Sequence, residues 1–249
     1  MPVLSEVFYE LFTGLPRQGP GDSGSTAKAL ALITQRLTTP RILDIGCGSG
    51  TQTLDLARLT DGTIVAVDNH QPFLEVLRQR AAASGFSERI TPMNANMGDL
   101  QLPNHQFDII WSEGAIFVIG FDKGLREWKR LLKPGGYIAV TEAAWLKPDP
   151  PADLFEFWSR EYPAIRSVDQ NLKAIDGAGY SIVGHFTLPD SSWWNGYYTP
   201  LEAHVQTMRL KYAGNEDALS VIEAAQLEID LHRKYSAYYG YVFFVMRAL

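Results

Sequence analysis

Residues 41–50 read RILDIGCGSG, and this decapeptide decides the fold. Ile42, Leu43 and Ile45 form a short apolar run of strand length that stops in a turn with glycine at every second position. Alternate glycines let a nucleoside and its tail lie against bare backbone at the carboxyl end of a first strand, where open α/β sheets bind ligands. A dinucleotide fingerprint places its third glycine three residues after the second. Thr51 stands there instead, which argues against NAD and FAD. Glycine also serves tight packing of a helix on a strand, so the turn alone leaves both readings open.

Downstream the same grammar repeats. A helix from Thr51 to Leu59 precedes the strand TIVAVD at 63–68, and a second helix from Gln71 to Ser84 is closed by Gly85. Asp68 ends that strand about 20 residues beyond the turn, where a carboxylate accepts hydrogen bonds from both hydroxyls of a ribose. Capping the following helix is its other use, although Asn69 and His70 are equally able caps. Strands are expected near 89–93, 107–111 and 136–142, with LREWKRLLK as a helix before the last. Strands alternating with helices imply βαβ crossovers and a largely parallel sheet covered on both faces, a Rossmann-like α/β fold in three layers.

Upstream, Leu4, Val7, Phe8 and Leu11 recur at helical spacing with Val3, and LPRQGPGDSGS then breaks the pattern. This reads as a lid helix and a loop, after which Ser25 caps a helix running to about Leu37. Beyond Pro148, helices are expected at 150–162 and 167–177, the second opened by a capping box of Ser167 and Gln170. Strands at 180–188 and 241–247, the last antiparallel, bracket an insertion (189–240) with helices near 200–213 and 216–238; Thr199, Pro200 and Glu202 suit the cap and first turn of the former.

The composition narrows the function. The 249 residues are 46% hydrophobic and 20% charged, which suits a soluble globular chain with a full-sized core. A formal net charge of -6 weighs against nucleic acid or an anionic membrane surface as partner. Cys47 is the only cysteine, so no internal disulfide and no cysteine metal cluster can form, and a reducing cytoplasm is the simplest home. No apolar run reaches the length of a membrane span, and the histidines at 70, 105, 185, 204 and 232 lack metal-ligand spacing, so no metal is expected.

Together ILDIGCGSGTQTLDLA, VAVDNH, FDIIWSEGAI and LLKPGGYIAV resemble class I S-adenosylmethionine-dependent methyltransferases, over about residues 25–145 in order. The flavour is that of the small-molecule group that includes ubiquinone and menaquinone methyltransferases. The resemblance implies a single domain over 1–249: a lid in 1–24, a cofactor-binding core in 25–145, and substrate-side helices with a last strand in 146–249. It also implies S-adenosylmethionine as cofactor. Asp44 and the Gly46 backbone would hold the methionine amino group, with Cys47 and Gln52 beside them and Gly48 and Gly50 giving room for the tail. Asp68 would bind the ribose, Asn69 would lie along the adenine, Asn96 and Met97 would read its edge in place of the family's acidic and small residues, and Ser112 would offer its carbonyl to the amino group.

The remaining candidates come from the residues themselves. Arg17 is the lid loop's only cation and suits a carboxylate, with Gln18 and the helix residue Tyr9 nearby. Methyl transfer needs a base only where the acceptor loses a proton. Glu113 past the fourth strand is the first choice, Glu142 at the end of the fifth the second, and His185 on the penultimate strand the third. Trp145, Trp193, Trp194 and Tyr197 are expected to wall a flat or apolar acceptor, the last three from a loop, SSWWNGYY. Two other readings remain: a methyltransferase of protein or RNA, in which Glu113 and Asp122 would grip a guanidinium, and a non-catalytic S-adenosylmethionine sensor. The acceptor and the oligomeric state do not follow from the residues.

Overall fold

A computed structural model describes residues 4–33 and 37–249. The first strand, β1 (Arg41–Ile45), lies in the middle of one sheet with β2 (Thr63–Asp68), β3 (Ile90–Asn94), β4 (Phe107–Ser112), β5 (Leu132–Trp145), β7 (Tyr180–Thr187) and β8 (Tyr239–Ala248). Their order is β3-β2-β1-β4-β5-β8-β7, and a two-residue strand, β6 (Arg166–Ser167), pairs with β5. Strands β1 to β5 are parallel. β8 runs antiparallel to both neighbours, as expected of a last strand.

Helices cover both faces. On one, α2 (Ser23–Ala31), α3 (Thr51–Leu59) and α4 (Gln71–Ala83) bury Ala29, Leu54 and Leu74 against Ile42, Ile64 and Trp111. On the other, α5 (Phe121–Lys129) and α7 (Val168–Gly177) bury Leu125, Trp128 and Ile175 against Leu43, Val140 and Phe244. In β8 the run Val242–Met246 is wholly buried, because helices lie on both faces and strands flank both edges. Each large side chain so buried contributes about 2 kcal/mol.

A third layer caps the carboxyl ends of the strands. It consists of α1 (Leu4–Phe12), α6 (Ala152–Glu161), α8 (Ser191–Trp193), α9 (Thr199–Lys211) and α10 (Glu216–Tyr235), packed around Val7, Leu154, Trp193, Tyr198, Val205 and Ile229. Tertiary contacts tie α1 to it: Lys211 and Tyr212 both reach Glu10, and His204 Nδ1 lies 2.9 Å from the Leu11 carbonyl.

Several boundaries differ from the sequence reading. Asp22, not Ser25, caps α2: its Oδ1 accepts the Ser25 N–H at 2.8 Å. That helix stops at Ala31, and residues 34–36, over which it is expected to continue, lie outside the described residues, as does Val3. The helix expected over LREWKRLLK lies earlier, because Leu131 and Leu132 are drawn into the core beside β4. The KPGG turn sits inside the β4–β5 ladder as an excursion, Phe107 pairing with Leu132 but Ile109 with Tyr137. The capping box at Ser167 and Gln170 is present. At Thr199 the expected cap is absent, because the chain is already helical: α8 continues through a wide turn at Trp194–Tyr198 straight into α9.

The glycine turn itself explains the strand-to-helix transition. Gly46, Gly48 and Gly50 have φ of 74°, 52° and 86°, the left-handed region that L side chains avoid. A Cβ at Gly50 would stand 2.2 Å from Leu77 Cδ1 of α4, so Gly50 serves helix packing rather than room for a cofactor tail. Gly50→Ala is therefore expected to lose about 3 kcal/mol, from backbone strain and overpacking together. Urea denaturation with an unchanged m-value would show it; a loss under 1 kcal/mol would contradict this packing.

Candidate active site

The carboxyl end of β1 delivers Asp44 into the gap above α3. It is fully buried, and Thr53 donates to its Oδ2 at 2.6 Å. The other oxygen, Oδ1, has no partner among the described residues. Burial pushes this carboxyl up to about 7, opposed by the Thr53 and Gln52 side chains, with Glu113 adding to the effect. Gln52 is buried beside it and donates to the Cys47 carbonyl at 3.2 Å. A buried carboxylate oxygen left open is costly unless a donor arrives.

Over the turn, Gly46 lies close beneath the segment after β4: a Cβ there would meet Ala115 Cβ at 2.2 Å and Met97 Cε at 3.4 Å. Ser112 is buried and donates to the Ile45 carbonyl at 2.8 Å, which ties the ends of β4 and β1 together. Asp68 Oδ2 accepts the Gly48 N–H at 2.9 Å and Oδ1 accepts the His70 N–H at 2.8 Å. It thus holds the glycine turn and the bend into α4, without capping that helix, whose N-cap His70 has no side-chain cap bond. Each oxygen keeps a second lone pair, and burial raises the carboxyl against those two bonds. Asn69 is exposed and accepts from the Tyr9 hydroxyl at 3.4 Å, while the Tyr9 ring stacks on His70 at 4.0 Å.

The expected edge-reading pair lies just past the third strand. β3 ends at Asn94, opposite Asp68, and Ala95 separates it from Asn96 and Met97. Asn96 spends its Oδ1 on the Gly98 N–H at 2.9 Å, in a local turn. Met97 reaches over Gly46, its Cε 3.4 Å from where a Cβ would stand.

Lid residues close over this floor. Gln18 Oε1 accepts the Ser49 N–H at 2.8 Å and stands 2.5 Å from where a Gly48 Cβ would be. Arg17 does not point to an open carboxylate site. Its Nη2 pairs with Glu113 Oε2 at 2.6 Å, with side chains only 7% and 3% exposed, and its buried Nη1 has no partner among the described residues. Glu113 Oε1 accepts from Thr26 and from Trp111 Nε1, both at 2.8 Å. The first-choice base is thus committed to a structural network, which fastens the lid loop to β4 and α2.

Glu142 is placed differently. It is 2% exposed at the carboxyl end of β5, and its Oε2 has no partner among the described residues. Burial pushes it up to about 7, opposed by the Tyr162 hydroxyl and by Arg166. Tyr162 lies against the exposed Phe117 after β4, rings 5.8 Å apart. His185 is excluded: it is exposed on the edge strand and faces Phe244, three strand spacings from Ser112, about 14 Å.

The aromatic wall is helical rather than a loop. Trp193 stacks on buried His232 at 4.2 Å and meets the Tyr241 ring at 5.0 Å. Tyr241 in turn lies 3.4 Å from a Cβ built at Gly114, past the end of β4. Trp145 is half-buried at the end of β5, Tyr197 stacks on Phe12 of the lid, and Trp194 turns to Arg233. Tyr162 and Tyr241 escape the sequence reading, since neither carries a spacing signal and both join the site only through strand pairing and the cap.

The strand order, the turn and the open Asp44 oxygen fit a cofactor with a nucleoside and an amino-bearing tail. Residues 42–136 match the family described as Methyltransferase domain. A demethylmenaquinone methyltransferase of Symbiobacterium thermophilum is 40% identical over 106 residues, covering 41% of this chain and 42% of that protein. A 27-O-demethylrifamycin SV methyltransferase of Amycolatopsis mediterranei is 26% identical over 85% of this chain and 79% of its own. The structure of a methyltransferase from Geobacter sulfurreducens in complex with S-adenosyl-L-homocysteine superposes with a TM-score of 0.82 at 20% identity, covering 100% and 99% of the chains. Residues 42–136 thus carry a methyltransferase domain, and the relatives and structural neighbours support the class I S-adenosylmethionine-dependent type. It spans about half the length of the first curated relatives it matches.

Removing one member of the buried ion pair strands the other. Arg17→Met is expected to cost about 3 kcal/mol in chemical denaturation, and adding Glu113→Gln should recover most of it. Equal stability of the single mutant and the wild type would show that the pair does not fasten the lid.

Proposed function

We propose that this protein transfers a methyl group from S-adenosylmethionine to a small, flat or apolar acceptor seated between the cap and the ends of β4 and β5. The observation that carries the reading is the buried, half-satisfied Asp44 beneath the glycine turn. In this reading Asp44 Oδ1 accepts from the cofactor's amino group, the free lone pairs of Asp68 take the ribose hydroxyls, and Gly46 gives backbone access. Asn69 and Tyr9 border the adenine side, with Asn96 and Met97 at its edge. When bound, the cofactor supplies an electrophilic methyl group on a positively charged sulfur.

The chain's own residues orient the acceptor, exclude water and receive a proton. The lid loop and cap shut out solvent through the Arg17 and Ser192 contacts, and Trp193 and Tyr241 offer flat apolar surface. Glu142, rather than Glu113, takes the proton from a hydroxyl or enol acceptor, because its Oε2 is open while the oxygens of Glu113 are occupied. The relatives named for quinone, sterol and polyketide-type acceptors support small-molecule chemistry. Protein arginine as substrate loses its argument, since Glu113 already binds Arg17 and Asp122 binds Arg166 within this chain.

Binding is tested by calorimetry with S-adenosylhomocysteine. Asp68→Ala and Asp44→Asn should each weaken it by about 1 to 3 kcal/mol. Because the cationic amino group pairs with ionised Asp44, wild-type affinity should fall as the pH drops below about 7, and Asp44→Asn should lose that dependence. Absence of binding to the wild type would overturn the cofactor assignment.

Turnover to S-adenosylhomocysteine against phenols, quinols, amines and sterols tests the rest. Binding without turnover on any of them would favour a sensor. With an acceptor that loses a proton, kcat should rise with pH through about 7 as Glu142 ionises. Glu142→Gln should lower it by about 100-fold or more, whereas an unaltered kcat and pH profile would remove Glu142 as the base.

A further inference from the structure

On the sheet face away from α3 and α4, a cavity of about 360 Å³ opens between α5 and α7, lined by Asp122, Arg126, Arg166, Gln170 and Lys173. Three cations against one acid give its wall a formal charge of +2, on a chain whose net charge is -6. That one acid is spent: Arg166 Nη2 reaches Asp122 Oδ1 at 2.9 Å and Nη1 reaches Oδ2 at 3.3 Å. Arg126 and Lys173 have no acid within ion-pair distance among the described residues. Like charges held side by side repel each other unless an anion joins them.

The donors are held in place. The guanidinium of Arg166 lies 5.6 Å from the centre of the Phe121 ring, its backbone pairs with Ala144 of β5, and its Nε is buried without a partner. Gln170 commits its backbone N–H and its Oε1 to the capping box with Ser167, which leaves its amide N–H groups free. The carbonyls ending α7, which would repel an anion, are partly neutralised: Lys129 Nζ bonds those of Ala178 and Gly179 at 3.3 and 2.7 Å. Guanidinium, ammonium and amide N–H groups converging on a polar hollow suit oxyanions, which accept several donors at once.

We propose that this cavity binds a small polyanion through phosphate or carboxylate oxygens. Two sources share that chemistry: a free anion acting on the enzyme, or the anionic end of the acceptor. Arg166 links the cavity to the active site, since Ala144, its strand partner, lies two residues past Glu142 on the same face of β5. An anion on Arg166 thus sits within electrostatic reach of Glu142.

The test titrates inorganic pyrophosphate into the full chain by calorimetry at low salt, a readout that needs no methyl transfer. Arg126→Gln/Lys173→Gln alters two exposed, unpaired side chains and should leave the thermal midpoint unchanged. Saturable binding to the wild type, weakened at least tenfold in the double variant and by added salt, is the expected result. No saturable binding, or equal binding to both proteins, would overturn the site. In turnover assays, pyrophosphate competing with the acceptor would assign the cavity to the acceptor's own anionic end; a change in kcat without competition would assign it to a separate anion.

Discussion

Between Ile45 and Thr51 the chain must leave a buried strand, reverse beneath Ala115 and start a helix already pressed against Leu77. No side chain fits at the first and last of the three glycines, and the left-handed backbone disfavours one at each. The site inherits its form from this constraint. The close approach that removes Cβ at Gly46 bares the backbone there, and the Gly48 N–H it exposes is what Asp68 grips.

Around that turn, the charged groups divide into those that hold the structure and those left open. Glu113 and Arg17 neutralise each other inside the protein, and Thr26 and Trp111 complete the carboxylate's bonds. A buried ion pair so well bonded gives the lid loop one defined position, at the cost of withdrawing both groups from chemistry. Asp44 and Glu142 are as deeply buried, yet each keeps an oxygen without a partner among the described residues. That difference, rather than proximity to a strand end, separates a fastening from a functional group.

The turn, the alternating strands and helices and the capping box at Ser167 were legible in the residues because each is set by neighbours in sequence. Spacing singled out Asp68 but could not reveal its bonds to the Gly48 and His70 N–H groups. What failed did so for tertiary reasons. Trp193, Trp194 and Tyr197 read as a loop because they lack helical periodicity, but a ring of aromatics around His232 buries them on several sides and sustains a helix. His185 looked available because a strand position does not say which side of the sheet it faces or how far it lies from the cleft.

The sequence by itself determined where the chain turns and how strands alternate with helices, since those follow from local sterics and apolar periodicity, and its motifs carried the methyltransferase resemblance. Only the tertiary structure decided the roles of the carboxylates. A carboxylate's chemistry depends on which donors reach it across 60 to 100 residues of chain, as Arg17 reaches Glu113 over 96, and that is a property of packing.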